Sequence, residues 1–147
     1  MLMHRTLREM PGPAAEMTAI VARWDPAAFR LELVNCGHGT PILIRAGGEV
    51  DVLDMPVRRG LGGRASPRPA ELVTTLVPGD RLILCSDGVI TDGKGRAGLG
   101  YDGVAAAALR SDDGSAADTV RKVHRAVLDA AQGALQDDAT VVCLAAE

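Results

Sequence analysis

Apolar and polar residues alternate over several short stretches of the chain, and this pattern predicts β-hairpins. In the first of them Leu31 and Leu33 alternate with charged residues, as expected for a strand with one buried face. The glycines of Ala46–Gly48 and the turn residues of Val77–Asp80 mark tight connections between later strands. Residues 55–69 are rich in Gly, Pro and Arg without periodicity, so a loop is expected there. Three hairpins are therefore expected, with strands at 17–24 and 29–36, at 41–45 and 49–53, and at 72–76 and 81–85.

Two stretches are apolar at almost every position rather than at alternate ones. They are residues 81–85 and residues 139–145, and such runs are typical of strands that are buried on both faces. Two stretches of helical composition lie between them. Hairpins followed by helices and a closing strand indicate an α+β fold with a mainly antiparallel sheet.

Three stretches of the chain are expected to be helical. Residues 102–110 and 115–135 begin at the candidate N-caps Asp102 and Ser115. Residues 2–10 are expected to form a further short helix, which the following Pro-Gly-Pro sequence ends. The residues expected on the apolar side of this first helix are Leu2, Met3, Leu7 and Met10.

Composition and charge limit the class of protein and its partners. A chain of 147 residues with 47% apolar and 24% charged residues is typical of one globular domain, here residues 1–147. The net charge of −3 gives no electrostatic reason to expect nucleic acid or an anionic membrane as partner. The three cysteines are far apart in apolar stretches, and no apolar run approaches the ~20 residues of a membrane-spanning helix. A cytoplasmic protein with free thiols is therefore expected.

Carboxylates stand at the ends of the two fully apolar strands. Asp87 follows the first strand, whereas Asp137 and Asp138 precede the second, so these ends share one edge if the strands are antiparallel neighbours. Carboxylates that converge in this way can bind a hard cation, and ligands that are all oxygen favour Mg²⁺ or Mn²⁺. The simpler alternative stays open: Asp-Gly occurs four times in the chain and is an ordinary turn dipeptide, and the Asp pair can belong to a plain loop.

Three sequence motifs follow one another between residues 17 and 147. They are Asn35-Cys-Gly-His38 after a strand, Pro78-Gly-Asp80 before Leu-Ile-Leu-Cys-Ser-Asp87-Gly-Val, and Asp137-Asp-Ala-Thr140-Val-Val. In order and spacing they resemble the motifs of the sporulation stage II protein E type, which are bacterial members of the metal-dependent PPM (type 2C-like) Ser/Thr protein phosphatases.

This resemblance implies a PPM-phosphatase-like sandwich of two antiparallel sheets covered by helices, with two Mg²⁺ or Mn²⁺ ions at one end. By their positions in the motifs, Asp87 and Asp137 match metal ligands, and Asp138 and the backbone of Gly88 are further candidates. In such a site a metal-activated water attacks phosphorus in line, so no protein nucleophile is required. A structural motif near the site is implied for Asn35, Gly37 and His38.

The resemblance also implies an enzyme that dephosphorylates phosphoserine or phosphothreonine on a protein, with an anti-sigma-factor antagonist as the expected substrate. The family's N-terminal Asp-Val-x-Gly-x-Gly motif, whose aspartate bridges both metals, has no counterpart before Met17. An N-terminally truncated domain is therefore expected, with residues 1–16 as a helix and loop remnant. The alternative is a catalytically inactive remnant that binds a phosphoprotein or pairs with another chain, for example as a homodimer.

A rival hypothesis comes from Gly93–Gly98, which spells the GxGxxG pattern of dinucleotide-binding proteins. In a Rossmann unit the helix begins inside the glycine motif, whereas here residues 99–103 are expected to intervene before a helix starts. The antiparallel pattern upstream also disagrees with a βαβ unit. The segment is therefore expected to be a loop beside the metal-binding edge.

Overall fold

Short antiparallel strands make up most of the regular structure in the first half of the chain. The computed structural model describes residues 2–10, 16–56, 59–91, 98–132, 135 and 137–147. Two units are recognised: Met1–His38 with Asp54–Thr75, and Gly39–Leu53 with Leu76–Glu147. The elements are α1 (Leu2–Glu9), β1 (Ala19–Asp25), β2 (Arg30–Cys36), β3 (Ile42–Ile44), β4 (Val50–Val52), β5 (Ala70–Thr75), β6 (Arg81–Cys85), α2 (Asp87–Ile90), α3 (Gly100–Ala108), α4 (Ala116–Ala130) and β7 (Val141–Ala145).

The first unit contains a three-stranded antiparallel sheet in the order β1-β2-β5. Its buried face carries Leu31 and Leu33, which are 0% and 1% exposed. The opposite face carries charged residues, including Glu32, which accepts a 2.8 Å hydrogen bond from the Nε of Arg30. The first predicted hairpin is confirmed, since β1 and β2 pair antiparallel. The alternation of apolar and charged residues determines which face of these strands is buried.

Helix α1 also belongs to the first unit, and its buried residue is a histidine. His4 is buried, and its Nδ1 accepts a hydrogen bond from the backbone N–H of Gly62 at 3.0 Å. The helix over residues 2–10 is confirmed, and its apolar residues Leu2, Met3 and Met10 are exposed rather than packed in a core. The polar His4 takes the buried position because a backbone donor in the loop is available to it.

The loop that follows β4 is attached to the N-terminal segment at three consecutive amides. Besides Gly62, the Gly60 N–H donates to Glu16 Oε1 at 2.8 Å, and the Leu61 N–H donates to the carbonyl of Met17 at 2.7 Å. A Cβ on Gly60 would lie 2.7 Å from that same carbonyl oxygen, so only glycine permits this approach. The described part of residues 55–69 before β5 contains no helix or multi-residue strand, as expected from its composition.

The second unit contains a four-stranded antiparallel sheet in the order β4-β3-β6-β7. The second predicted hairpin, β3 with β4, is confirmed. Helices α3 and α4 pack against this sheet, and α4 contributes the buried residues Val123 and Val127, which lie one turn apart on the same face of the helix. Buried sheet residues of the same core are Ile42, Ile44, Ile83 and Cys85.

The third predicted hairpin is wrong, because β5 pairs with β2 whereas β6 lies between β3 and β7. The turn predicted at Val77–Asp80 is confirmed, since the Asp80 N–H donates to the Val77 carbonyl at 2.9 Å. A turn signal does not select the partner of a strand, however. Strand β5 alternates between more and less exposed residues, whereas β6 is almost entirely buried and therefore occupies a central position.

Arg81 connects the beginning of β6 to both covering helices. Its guanidinium group is buried, and Nη1 donates to the carbonyl of Ala108 at 3.0 Å and to Thr119 Oγ1 at 2.8 Å. Since Ala108 ends α3 and Thr119 lies in the first turns of α4, this one side chain fixes both helices on the sheet.

Helix α4 has the N-cap expected from the sequence, whereas the end of α4 and the beginning of α3 differ from the expected positions. Helix α4 has Ser115 as its N-cap, as predicted, and Ser115 Oγ accepts the Asp118 N–H at 3.1 Å. It ends at Ala130 rather than at residue 135. Helix α3 begins at Gly100, so the prediction of Asp102 as N-cap is wrong. The signal at Asp102 misled because an aspartate is also favourable within the first turn of a helix.

Asp118 is expected to make the free energy of unfolding depend on pH. Its carboxylate accepts hydrogen bonds from Asp112 N, Arg121 Nη2 and Ser111 Oγ at 2.7, 2.8 and 3.0 Å. These bonds, the Asp112 N–H foremost, lower the pKa of Asp118 from 3.8 to about 2. A pKa that is lowered in the folded state stabilises the fold above the unfolded pKa, and this stabilisation is lost as the pH falls through the folded pKa.

We therefore expect Asp118→Asn to lower the free energy of unfolding near neutral pH and to flatten its decrease between roughly pH 5 and pH 2. Urea denaturation at several pH values measures both effects. Asp129→Asn, which changes an exposed carboxylate of the same helix, is the control. If the free energy of unfolding of Asp118→Asn depends on pH as that of the wild type does, the lowered pKa of Asp118 is not the source of this dependence.

Candidate metal centre

The two fully apolar strands are antiparallel neighbours, which is the condition on which the predicted metal-binding edge depends. Cys85 at the end of β6 is paired with Val141 at the beginning of β7. The residues that follow β6 therefore lie beside those that precede β7. This confirms that the chain around Asp87 and the chain around Asp137 share one edge of the sheet.

Ser86 makes the hydrogen bonds that hold these two segments together. Its N–H donates to the carbonyl of Thr140 at 3.0 Å, and its Oγ accepts the Thr140 N–H at 2.8 Å. The same hydroxyl donates to the carbonyl oxygen of Asp138 at 3.1 Å. Sequence reasoning missed this role, although a serine directly before the aspartate was the signal that could have revealed it.

Gly88 brings the backbones even closer together. A Cβ at this position would lie 2.5 Å from the carbonyl oxygen of Asp138 and 3.4 Å from the carbonyl carbon of Asp137. Since real Cβ atoms do not approach an oxygen so closely, every residue other than glycine would push the segments apart. The predicted role of the Gly88 backbone as a metal ligand stays a prediction, whereas its role in close packing is visible.

The three candidate carboxylates lie on the surface of this edge. Asp87 begins the four-residue helix α2, and Asp137 and Asp138 lie just before β7. All three residues are exposed, and Asp137 Oδ1 accepts the N–H of Asp138 at 2.8 Å. This bond restricts the Asp137 side chain and leaves its other oxygen for further contacts.

These carboxylates fit a hard divalent cation in their chemistry. Mg²⁺ keeps several waters and is commonly bound through one or two carboxylates together with phosphate oxygens, so a small acidic set of this kind is suitable. The backbone of Asp138 occupies the place where a Gly88 Cβ would lie, so glycine at this position lets the acidic segments come close together. Within the described ranges, no group of three His, Cys, Asp or Glu side chains is arranged to hold a metal. The metal-binding role of Asp87, Asp137 and Asp138 therefore stays a prediction.

The thiol nearest to this edge is unsuited to nucleophilic attack. Cys85 is buried, and burial, with a smaller effect of Cys143, raises the pKa of its thiol to about 12. A thiol with so high a pKa is protonated at neutral pH, and a protonated thiol is a poor nucleophile. Cys85 is therefore a core residue of the second unit.

The Asn35–His38 motif belongs to the first unit. Asn35 is 1% exposed, and its side chain accepts the His38 N–H at 2.8 Å and donates to the His38 carbonyl at 3.0 Å. Gly37 between them has a φ of +80°, which glycine adopts without strain. The motif therefore builds a tight turn, and its predicted position near the metal centre stays a prediction.

One of the two sequence arguments against a dinucleotide-binding site is weakened by the structure, whereas the other is strengthened. Residues 92–97 of the GxGxxG segment lie outside the described residues, and α3 begins at Gly100, earlier than the argument from the sequence assumed. The element before the segment is the short helix α2, however, and all strand pairs of the two described sheets are antiparallel. A Rossmann site requires a parallel βαβ unit.

Solved structures of several phosphatases share this fold. The phosphatase domain of the cell fate determinant SpoIIE from Bacillus subtilis, presoaked with Mn, matches with a TM-score of 0.71 and 17% identity over 88% of this chain and 56% of that chain. The RsbU and RsbW domains of Rv1364c from Mycobacterium tuberculosis match with a TM-score of 0.72 and 21% identity over 95% and 38%. The serine/threonine phosphatase PstP/Ppp from the same organism matches with a TM-score of 0.70 and 19% identity over 99% and 67%.

The fold is therefore that of the PP2C-type (PPM) phosphatases, as the motifs predicted. The family described as Stage II sporulation protein E (SpoIIE) matches residues 2–147, and the chain belongs to this family. It spans 56% of the length of the SpoIIE phosphatase domain structure. No curated protein matches the chain. The described part of the chain has no helix that is long and apolar enough to cross a membrane.

Proposed function

We propose that the chain forms part of a Mg²⁺- or Mn²⁺-dependent phosphatase that acts on phosphoserine or phosphothreonine in a protein. The observation that carries this proposal is the juxtaposition of Asp87 with Asp137 and Asp138 at one sheet edge, in a chain of the SpoIIE family. Two solved structures of this fold are described as presoaked with Mn and as a complex with magnesium, which supports Asp87, Asp137 and Asp138 as candidate oxygen ligands.

Asp87 and Asp137 are the residues that would hold the metal, with Asp138 and the Gly88 carbonyl as further candidates. When bound, a divalent ion neutralises phosphate charge and makes an attacking water available at neutral pH. The carboxylates would supply the negative charge that binds the cation, while Ser86 bonds their segments together and Gly88 allows the close approach. Because the acidic residues are exposed, a phosphorylated side chain on the surface of another protein can reach them.

For the substrate we propose a regulatory phosphoprotein, with an anti-sigma-factor antagonist as the first candidate. This candidate rests on the resemblance of the three motifs to the sporulation stage II protein E type and on the match to the SpoIIE family. We also propose that the chain acts in the cytoplasm, because all three of its cysteines are free thiols. Self-association stays a prediction.

The activity is tested by measuring phosphate release from a phosphoserine protein in the presence of Mn²⁺, with and without a chelator. We expect release to depend on the metal and to fall to background in Asp87→Asn and Asp137→Asn. Asp129→Asn, which changes an exposed carboxylate on α4, is the matched control and should behave as the wild type.

Two results would contradict the proposal. The first is release that persists in the chelator or in Asp87→Asn. The second is a folded wild-type chain that binds the phosphoprotein but releases no phosphate with Mn²⁺, which would instead favour a binding module.

A further inference from the structure

We propose that Ser86 is a positioning residue, whose hydroxyl sets the affinity of the metal centre by holding the Asp137–Asp138 segment against Asp87. This inference rests on the proposed function, because it concerns the same centre. Ser86 is not itself a ligand in this proposal. It acts through the backbone of the residues that carry the carboxylates.

The hydroxyl of Ser86 has a suitable bonding capacity for this role. A serine hydroxyl donates one hydrogen bond and can accept two. Here it accepts the N–H of Thr140 at 2.8 Å and donates to the carbonyl of Asp138 at 3.1 Å. The hydroxyl therefore makes hydrogen bonds to the backbone on both sides of Ala139, which fixes the direction in which the chain enters β7.

Ser86 is also fixed on the side of Asp87. Its carbonyl accepts the N–H of Val89 at 3.0 Å, which closes the first turn of α2 around Asp87. Val89 is 1% exposed and belongs to the core of the second unit, so this turn is anchored. One residue thus joins the anchored turn that carries Asp87 to the segment that carries the other carboxylates.

The restraint continues from Asp138 to the Asp137 side chain. The carbonyl of Asp138 is held by Ser86, and the N–H of Asp138 is held by Asp137 Oδ1 at 2.8 Å. Gly88 allows the segment to come close because it has no Cβ. Without the Ser86 hydroxyl, the bond from the Ser86 N–H to the Thr140 carbonyl remains, but the Asp138 carbonyl and the Thr140 N–H lose their partner. The Asp137–Asp138 segment is then held less firmly against Asp87, and the carboxylates lose alignment.

Substitutions of Ser86 separate this role from general stability. Ser86→Ala removes both hydroxyl bonds. Ser86→Thr keeps the hydroxyl, and the extended backbone of this residue, with φ −72° and ψ 166°, accepts a β-branched side chain. Ser115→Ala is a matched control, since Ser115 is another serine whose Oγ accepts a backbone N–H, at the N-cap of α4.

The test is a calorimetric titration of the folded 147-residue chain with Mn²⁺. We expect Ser86→Ala to weaken Mn²⁺ binding on the order of 10–100-fold, the usual effect of removing a group that orients a metal ligand. Ser86→Thr should restore the affinity. Ser115→Ala should lower the melting temperature but leave the Mn²⁺ affinity unchanged.

A second measurement needs no metal. Amide hydrogen exchange of Thr140 should become faster in Ser86→Ala and return to the wild-type rate in Ser86→Thr. The inference is overturned if Ser86→Ala binds Mn²⁺ as the wild type does, or if Ser115→Ala weakens binding equally.

Failure of the proposed function has a different signature. If the wild type binds Mn²⁺ but hydrolyses no phosphoprotein, the phosphatase proposal fails while the Ser86 comparison still decides the inference. If the wild type binds no Mn²⁺, both fail.

Discussion

Replacing Gly88 with alanine is expected to abolish measurable Mn²⁺ binding and to destabilise the fold. The added Cβ would lie 2.5 Å from the carbonyl oxygen of Asp138 and 3.0 Å from its carbonyl carbon. Both are backbone atoms, so no side-chain rotation can relieve the contact. The Asp137–Asp138 segment must then shift away from Asp87, and overpacking of this kind costs about 1–3 kcal/mol of unfolding free energy.

Gly47→Ala is the matched control for this substitution. A Cβ at Gly47 would meet nothing within 4 Å, so its effect on stability and on metal binding should be small. Denaturation in urea and calorimetric titration with Mn²⁺ measure the two properties separately. A Gly88→Ala protein with wild-type Mn²⁺ affinity would show that the close contact at Gly88 does not position the carboxylates.

The second large effect is expected for Asp80→Ala, at the opposite end of β6 from Asp87. Asp80 is 1% exposed, and its carboxylate accepts hydrogen bonds from Arg45 Nη1 at 2.9 Å, from Ala46 N at 3.0 Å and from Val77 N at 3.1 Å. It thereby ties the turn between β3 and β4 to the turn that precedes β6. Removing the carboxylate leaves these donors without their acceptor, which costs about 3 kcal/mol or more.

The expected result for Asp80→Ala is a lower urea midpoint with an unchanged m-value. Asp51→Ala, an exposed carboxylate on β4, serves as the control. The fraction of Asp80→Ala that stays folded should bind Mn²⁺ with the wild-type affinity, since the substitution is at the opposite end of β6 from Asp87 and Asp137. Equal midpoints for Asp80→Ala and Asp51→Ala would contradict the structural role of Asp80.

That the segments carrying Asp87 and Asp137 share one edge of the sheet was largely predictable from the sequence. Two strands that are apolar at almost every position were expected to be buried on both faces, with Asp87 after one and Asp137 and Asp138 before the other. This expectation holds for β6 but is wrong for β7, which lies at the margin of its sheet with Val142 52% exposed. The pairing of Cys85 with Val141 then follows from two such strands lying side by side. The N-cap at Ser115 was also predictable, because the capping interaction spans only three residues.

The features that the sequence did not reveal depend on distant contacts. His4 is buried because it binds the amide of Gly62, which is 58 residues away, and no local pattern records such a contact. The wrong third hairpin has the same origin, since the turn before β6 carries no information about which strands β6 will join. The role of Ser86 depends on Thr140, 54 residues further along the chain.

The central claim is that Asp87 and Asp137 hold a divalent metal, and the most direct test is calorimetric titration of the chain with Mn²⁺. We predict that the wild type and the Asp129→Asn control bind Mn²⁺ with the same affinity, and that binding is lost in Asp87→Asn and in Asp137→Asn. Mn²⁺ binding by Asp87→Asn with the wild-type affinity would contradict the claim.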